Sequence, residues 1–173
     1  MSRKIVVDAS VARSSGEWNS LRHTATACRD ALLAIRKCRL MAVMSPMLER
    51  EWDKHQSKFA SGWRVQMTAK RLIWRVPDGT HRKVAKALAQ SDLTHSQKKA
   101  ALKDFHLVSA ALTAEQTILS NDDEARNIFA AAAAEIAQFQ KLIWVNPSNA
   151  HENCTQWLAE GAKPEQQRYL YQS

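Results

Sequence analysis

The chain has 173 residues, of which 45% are hydrophobic and 24% are charged, and this is the composition of an ordinary globular domain. With only 4 Gly and 4 Pro, the sequence has too few turn residues for an all-β protein. No apolar run approaches the ~20 residues that cross a bilayer, so the sequence predicts no membrane-spanning helix.

The cysteines and the N-terminus are typical of a protein of the reducing cytoplasm. Cys28, Cys38 and Cys154 are an odd number without the spacing of a metal site, and we interpret them as buried or incidental thiols. Residues Met1 to Lys4 lead directly into a predicted strand, so we expect no signal peptide. We therefore expect a cytoplasmic location and no membrane partner.

The apolar runs predict four short strands that alternate with helices. The strands are Ile5–Asp8, Leu40–Met44, Thr117–Ser120 and Leu142–Val145. This alternation predicts an α/β fold of three layers, in which a short central parallel sheet of about four or five strands is flanked by helices.

The helices are predicted from apolar residues at helical spacing and from signals at their ends. They comprise a basic helix around Val84–Leu88 and residues from Asn19 or Ser20 to about Lys37, Pro46 to about Trp74, 97 to 113, 123 to 138 and about Gln156 to Glu160. The helix that begins at Pro46 would break, if anywhere, near Ser61-Gly62. After Glu160 we expect loose chain.

Trp52, Trp63 and Trp74 recur every 11 residues, close to three helical turns, so they would share one face of a continuous helix. We interpret this stripe as core rather than as a base-stacking platform. Residues 1–147 are predicted to form one domain that includes a basic helical segment at about 50–103. Residues 148–173 are predicted to be a C-terminal helix and tail of the same domain.

The net charge of +8 is unevenly distributed along the chain. Residues 50–103 carry 13 Lys and Arg against 4 Asp and Glu, a local charge of +9, whereas residues 104–173 carry 4 against 9, a local charge of −5. This contrast indicates a surface that binds a polyanion beside a site that concentrates carboxylates. The alternative is a solvated basic helical face.

Two predicted strands end in a carboxylate, Asp8 after the first and Asp122 after the third. Ligands of open α/β sheets bind beyond the carboxyl ends of the strands, and acids that cluster there repel one another unless a cation neutralises them. Oxygen ligands are what Mg²⁺ or Mn²⁺ prefers. The alternative is that Asp8 caps a turn and that Asp122 or Asp123 caps the helix that follows.

Four short blocks of sequence, in order along the chain, each contain or precede an acid near a predicted strand or helix. They are Val6–Val11, Ser45-Pro46 with an acid one turn later, Lys103–Leu112 and Ile118–Asp123. In this order and with these predicted elements, the chain resembles the PIN domain (PilT N-terminus) nucleases, which include the VapC-type toxin ribonucleases. The resemblance extends from the first strand to about Val145.

The resemblance implies a catalytic and metal-binding set made of acids from four segments, with an auxiliary acid and two hydroxyl side chains that orient the ligands. The acids are Asp8, Glu51, Asp104 and Asp122, the auxiliary acid is Asp123, and the hydroxyl residues are Ser10 and Ser120. Glu49 is the alternative to Glu51, which we choose because an apolar residue follows it. His55, one turn after Glu51, is expected to have a core or supporting role.

The activity that the resemblance implies is metal-dependent endoribonuclease cleavage of RNA, with one or two Mg²⁺ or Mn²⁺ ions that activate a water molecule. It further implies the toxin of a toxin–antitoxin pair, with an antitoxin protein and a second copy of the chain as partners. The alternative is a PIN-like module that binds nucleic acid or protein without cleaving. Composition does not discriminate RNA from DNA.

The basic segment gives this reading a substrate-binding surface, because affinity for nucleic acid comes mainly from cations that contact phosphates. The residues predicted to contact nucleic acid are Lys54, Lys58, Arg64, Lys70, Arg71 and Arg75.

Overall fold

A computed structural model describes residues 2–16 and 22–172. It has five parallel strands in the order β3-β2-β1-β4-β5, and helices flank the sheet in a three-layer α/β fold. The strands are β1 (Lys4–Val7), β2 (Met41–Met44), β3 (Ile73–Arg75), β4 (Thr117–Leu119) and β5 (Ile143–Val145). The predicted fold class is therefore confirmed.

The helices of the described residues connect the strands and cover the sheet. They are α1 (Ala9–Ser14), α2 (Arg22–Lys37), α3 (Pro46–His55), α4 (Lys58–Ala69), α5 (Arg82–Gln90), α6 (His95–Thr113), α7 (Asp123–Ala132), α8 (Ala137–Gln140) and α9 (Cys154–Ala159), with 3-10 turns at Ala150–Glu152 and Gln166–Arg168. None of these helices is long and apolar enough to cross a membrane.

The central strand β1 is buried on both faces, as parallel strands between helical layers must be. Ile5, Val6 and Val7 are fully buried, and Val6 pairs with Val43 of β2 on one side and with Ile118 of β4 on the other. Their β-branched side chains fit a pleated strand in a closely packed core. The strand therefore holds the residue that follows it, Asp8, at a fixed place on the edge of the sheet.

Two tryptophans join the helices α3 and α4 to the sheet layer. The rings of Trp52 and Trp63 are stacked, with centroids 5.7 Å apart, and both are almost fully buried. The indole nitrogen of Trp52 donates to the Val7 carbonyl at 2.9 Å, and that of Trp63 donates to the Leu32 carbonyl at 2.6 Å. The core interpretation is correct for these two residues.

The prediction that one helix continues to about Trp74 is wrong. Residues Ile73–Arg75 form β3, which pairs with Ala42–Met44, and Trp74 is 44% exposed with the Lys4 ammonium 4.8 Å from its ring centroid. The helical region also breaks at Gln56 and Ser57 rather than near Ser61-Gly62, because the Ser57 hydroxyl caps a new helix by accepting from the Ala60 amide.

Other predicted boundaries also differ from the observed ones. Residues 9–14, directly after the first strand, form the short helix α1, and the candidate N-caps Asn19 and Ser20 lie outside the described residues. The helix from Asp123 ends at Ala132 rather than at Gln138, and the separate turn α8 follows. The helix 97–113 begins earlier, at His95, because Thr94 and Gln97 form a reciprocal capping box.

The C-terminal tail is packed against the domain, whereas the sequence predicted loose chain. The Leu170 amide donates to the Leu142 carbonyl at 2.8 Å, and Tyr169 bridges to Ile143 of β5. The Arg168 guanidinium lies over the Trp157 ring, 4.9 Å from its centroid. Because these residues bury Leu170 against β5, the tail contributes to the same hydrophobic core.

Candidate functional site

The carboxyl ends of β1 and β4 are neighbours, and the side chains that follow them meet. Val7 pairs with Leu119, and the Asp8 amide continues the ladder by donating to the Leu119 carbonyl at 2.9 Å. Asp8 and Ser120 therefore leave adjacent parallel strands at the same edge. This is the edge at which open α/β sheets bind their ligands.

Two hydroxyl groups orient the Asp8 carboxylate. The Ser10 hydroxyl donates to Asp8 Oδ2 at 2.6 Å, and the Ser120 hydroxyl donates to the same oxygen at 2.8 Å. The amides of Asn121 and Asp122 in turn donate to these hydroxyls, at 3.1 Å and 3.0 Å. Because backbone amides hold both hydroxyls, the hydrogen bonds from Ser10 and Ser120 position the Asp8 carboxylate in addition to its own rotamer preference.

Four carboxylates and two cationic or titratable side chains line one small cavity of about 140 Å³ at this edge. The lining comprises Asp8, Ser10, Arg13, Glu51, His55, Asp104 and Asp122, together with the apolar Ala9, Leu107 and Ala125. The structure thus brings together the four acids that the sequence predicts, from the end of β1, from α3, from α6 and from the start of α7.

The electrostatics of Asp104 agree with this convergence. Burial raises the pKa of the Asp104 carboxyl above its ordinary range, and the negative charges of Asp122 and, more weakly, Asp8 add to the rise. Lys103 and His106 act in the opposite direction and do not cancel it. Asp104 therefore lies in a desolvated position that faces other carboxylates, which costs free energy in the absence of a cation.

The capping alternative is observed for Asp122 but not for Asp8. The Asp122 Oδ1 atom accepts from the Ala125 amide at 2.8 Å, so this residue caps α7 and lines the cavity as well. Asp8 occupies the N-cap position of α1, but its side chain makes no capping hydrogen bond there. Its carboxylate is held by Ser10 and Ser120 instead.

Two further acids that the sequence makes candidate metal ligands are not among the residues that line the cavity. Asp123 accepts a hydrogen bond from the Asn146 side-chain amide at 3.0 Å. Glu49 faces a different surface, where its carboxylate is 3.3 Å from the Arg75 guanidinium. Glu51 does line the cavity, with its oxygens 3.5 Å from the Lys54 ammonium and 3.7 Å from His55 Nε2.

The carboxylates supply the all-oxygen donors that a hard divalent cation prefers. Within residues 2–16 and 22–172, however, no three His, Cys, Asp or Glu side chains are placed so that they could hold one metal ion. The cavity acids would have to turn toward one another to share a cation. The chemistry of the donor set fits Mg²⁺ or Mn²⁺, and the side-chain positions require this rearrangement.

The predicted nucleic-acid contacts do not lie on one surface. The helix α4 begins beside α1, where the Ser57 amide donates to the Ala12 carbonyl at 3.1 Å, and its 12 residues run ~18 Å to the opposite edge of the sheet. Lys54 and Lys58 therefore lie toward the carboxyl ends of the strands, where the cavity is. Lys70 and Arg71 lie at the opposite, amino ends of the strands, where β3 begins.

The remaining two predicted contacts are paired with acids. The Arg64 guanidinium is 2.5 Å from an Asp53 oxygen, and Arg75 contacts Glu49. Exposed pairs of this kind are weak, so each cation can exchange its carboxylate for a phosphate.

The residue that sequence reasoning missed in the cavity lining is Arg13. The sequence of residues 13–17 predicts a polar loop, but Arg13 lies in α1, one helical turn after Ser10, and Glu17 lies outside the described residues. The signal was the spacing of three residues between Ser10 and Arg13, which places both on one helical face once a helix after Asp8 is recognised.

Compared with known proteins, the chain matches no family model, no curated protein and no solved structure.

Proposed function

We propose that this chain is a metal-dependent endoribonuclease that hydrolyses phosphodiester bonds at the cavity of Asp8, Glu51, Asp104 and Asp122. The observation that carries the proposal is that four carboxylates from distant segments line one cavity at the carboxyl edge of a parallel sheet. Clustering acids there is unfavourable for folding alone, so a cation and an anionic substrate give the cluster a purpose.

In the proposed reaction, Asp8, Glu51, Asp104 and Asp122 would hold one or two Mg²⁺ or Mn²⁺ ions. When bound, these ions would activate water and stabilise the charge that builds up on the phosphate. Ser10 and Ser120 keep the Asp8 carboxylate oriented, and either Asp104 or Asp122 would orient the attacking water. The water oxygen forms a new P–O bond and gives up a proton to solvent as one ester P–O bond breaks, and the leaving oxygen takes a proton from solvent.

RNA is the proposed substrate because the PIN-type nucleases that the sequence resembles act mostly on RNA. A cationic rim supports a polyanionic ligand, since Arg13 lines the cavity and Lys54 is beside Glu51. The proposal includes a cytoplasmic location and the role of a toxin with a protein antitoxin, and a homodimer is its expected assembly.

The test is cleavage by the purified chain of a single-stranded RNA labelled at one end, with Mg²⁺, Mn²⁺ or EDTA. We expect internal cleavage with either cation and none with EDTA. A single-stranded DNA of the same sequence is the matched substrate that separates ribonuclease from general nuclease activity. If no cation supports cleavage, the enzyme proposal is wrong.

The second candidate is a module that binds nucleic acid or protein without cleaving it. One observation favours it, namely that within the described residues no three potential ligands are placed to hold one ion. This candidate predicts RNA binding that is equally strong in the wild type and in an Asp8→Asn variant, with no cleavage by either. Fluorescence anisotropy with the same labelled RNA measures that binding.

Replacing each of the two glutamates of α3 with glutamine, one at a time, tests which of them binds the metal. We expect Glu51→Gln to weaken Mn²⁺ binding by about tenfold or more, since even groups behind metal ligands contribute about 10- to 100-fold. The matched variant Glu49→Gln removes the same charge two residues away and should leave the affinity unchanged, because Glu49 faces Arg75. Isothermal titration with Mn²⁺ measures both, and an unchanged affinity in Glu51→Gln contradicts its assignment as a ligand.

A further inference from the structure

We propose that Arg13 binds the phosphate that is cleaved and so positions the RNA against the four acids. This inference rests on the proposed nuclease function and names the residue of the cavity that contacts the substrate. Arg13 would be the cationic partner of the phosphate, and the acids would hold the metal.

The position of Arg13 follows from where α1 begins and from which of its residues are buried. This helix starts directly after Asp8, and Ala9, Val11, Ala12 and Ser14 are all buried, so that Ser10 and Arg13 are the two positions of α1 that remain accessible. They are one helical turn apart and therefore lie on the same face. Ser10 contacts the Asp8 carboxylate at 2.6 Å, and Arg13 lines the same cavity.

Arg13 differs from three of the predicted cations in having no ion pair with a carboxylate of the described residues. Lys54, Arg64 and Arg75 each lie within 4 Å of a carboxylate, at 3.5, 2.5 and 3.3 Å. Among the described residues, no carboxylate lies within that distance of the Arg13 side chain, although four line its cavity. The exposed Arg13 thus lines the acidic cavity, and no carboxylate of residues 2–16 and 22–172 pairs with it.

The charge of the cavity explains why such a cation is needed. Four ionised carboxylates carry a charge of −4, so one divalent cation leaves −2 and two divalent cations leave the cluster neutral. A phosphodiester that enters brings a further −1. A guanidinium matches two phosphate oxygens with two parallel hydrogen bonds, and it keeps its charge at every working pH.

The experiment compares Arg13→Ala and Arg13→Lys with Lys37→Ala, which removes a positive charge from the exposed end of α2 at the opposite edge of the sheet. We expect Arg13→Ala to lower kcat/KM for single-stranded RNA by about 10- to 100-fold, the range for loss of a charge-assisted contact. Arg13→Lys should recover part of this loss, and Lys37→Ala should remain within about twofold of the wild type. Mn²⁺ affinity in the absence of RNA should not fall in Arg13→Ala, because Arg13 is not a metal ligand.

Two results would overturn the inference. One is a kcat/KM for Arg13→Ala that equals that of Lys37→Ala, and the other is a parallel loss of Mn²⁺ affinity, which would make Arg13 a support for the acids. Circular dichroism confirms that each variant is folded. If the wild type does not cleave RNA at all, the proposed function fails, and RNA binding with Ca²⁺ in place of Mg²⁺ still decides the role of Arg13: weaker binding by Arg13→Ala supports it, and unchanged binding refutes it.

Discussion

Asp8→Asn and Asp104→Asn should each lower the rate of RNA cleavage by more than roughly 100-fold, because mutating even the groups behind metal ligands costs about 10- to 100-fold. Asn keeps the shape of the side chain and removes the negative charge that holds a cation. Single-turnover cleavage of labelled RNA with saturating Mg²⁺ measures the loss. The matched control is Asp53→Asn, which makes the same change at an exposed position of α3 that is paired with Arg64.

Although Asp104→Asn should lower the rate of cleavage, it should raise the stability of the folded protein when no metal is bound. Since the pKa of Asp104 is raised in the folded protein, the folded state binds its proton more tightly than the unfolded state. The ionised carboxylate therefore opposes folding, and this penalty sets in as the pH rises above the unfolded pKa of about 3.9 through the raised folded pKa. Asp104→Asn removes the penalty.

We thus expect Asp104→Asn to melt at a higher temperature than the wild type in EDTA at pH 7, with the difference disappearing near pH 3. Thermal unfolding at a series of pH values measures it, and added Mg²⁺ should narrow the gap by stabilising the wild type more than the variant. A variant that retains full cleavage, or one that melts lower at pH 7, contradicts the assignment of Asp104 to a desolvated acidic cluster.

Trp52→Ala should destabilise the fold by about 3–5 kcal/mol, a large part of the roughly 5–15 kcal/mol that holds a domain together. Trp52 is fully buried, stacks on Trp63 and donates to the Val7 carbonyl, so its loss leaves a cavity and an unsatisfied carbonyl one residue before Asp8. The milder Trp52→Phe keeps most of the packing and removes the donor. Urea unfolding followed by circular dichroism measures both variants.

Trp74→Ala is the matched control for this prediction. Trp74 is 44% exposed on the edge strand β3, where the Lys4 ammonium lies over its ring, so the expected cost is within about 1 kcal/mol. If Trp52→Ala and Trp74→Ala destabilise the protein equally, the distinction between a core and an edge tryptophan is wrong.

The sequence predicted those strands whose apolar runs are long enough to be distinctive. β1 and β2 have continuous β-branched or large apolar residues, and β5 is bounded by Asn146-Pro147. β3 was missed because Ile73–Arg75 follows basic residues, ends in a charged residue and continues an 11-residue tryptophan spacing that imitates a helix. What makes it a strand is pairing with β2, which is a tertiary interaction that local pattern does not contain.

The site was predicted as far as its residues mark the ends of strands or match short blocks. Asp8 and Asp122 follow strands, and Asp104 and Glu51 came from the resemblance to PIN nucleases. Arg13 was missed because Ser14, Ser15 and Gly16 read as loop, and its place in the cavity depends on the short helix α1. The apolar residue that follows Glu51 was the sequence reason to prefer it over Glu49, and the pairing of Glu49 with Arg75 is what separates the two.

The tail that packs on β5 should also lower the tendency of the protein to aggregate at high concentration. The Leu170 amide donates to the Leu142 carbonyl and Tyr169 bridges to Ile143, so the tail covers the start of β5, while the other outer strand, β3, is three residues long and ends in Arg75. A short, charged edge is a poor template for pairing with another chain. Truncation before Arg168 would bare β5 and the Trp157 ring together, converting a covered edge into a site for aggregation, so expression vectors should carry an affinity tag at the other terminus.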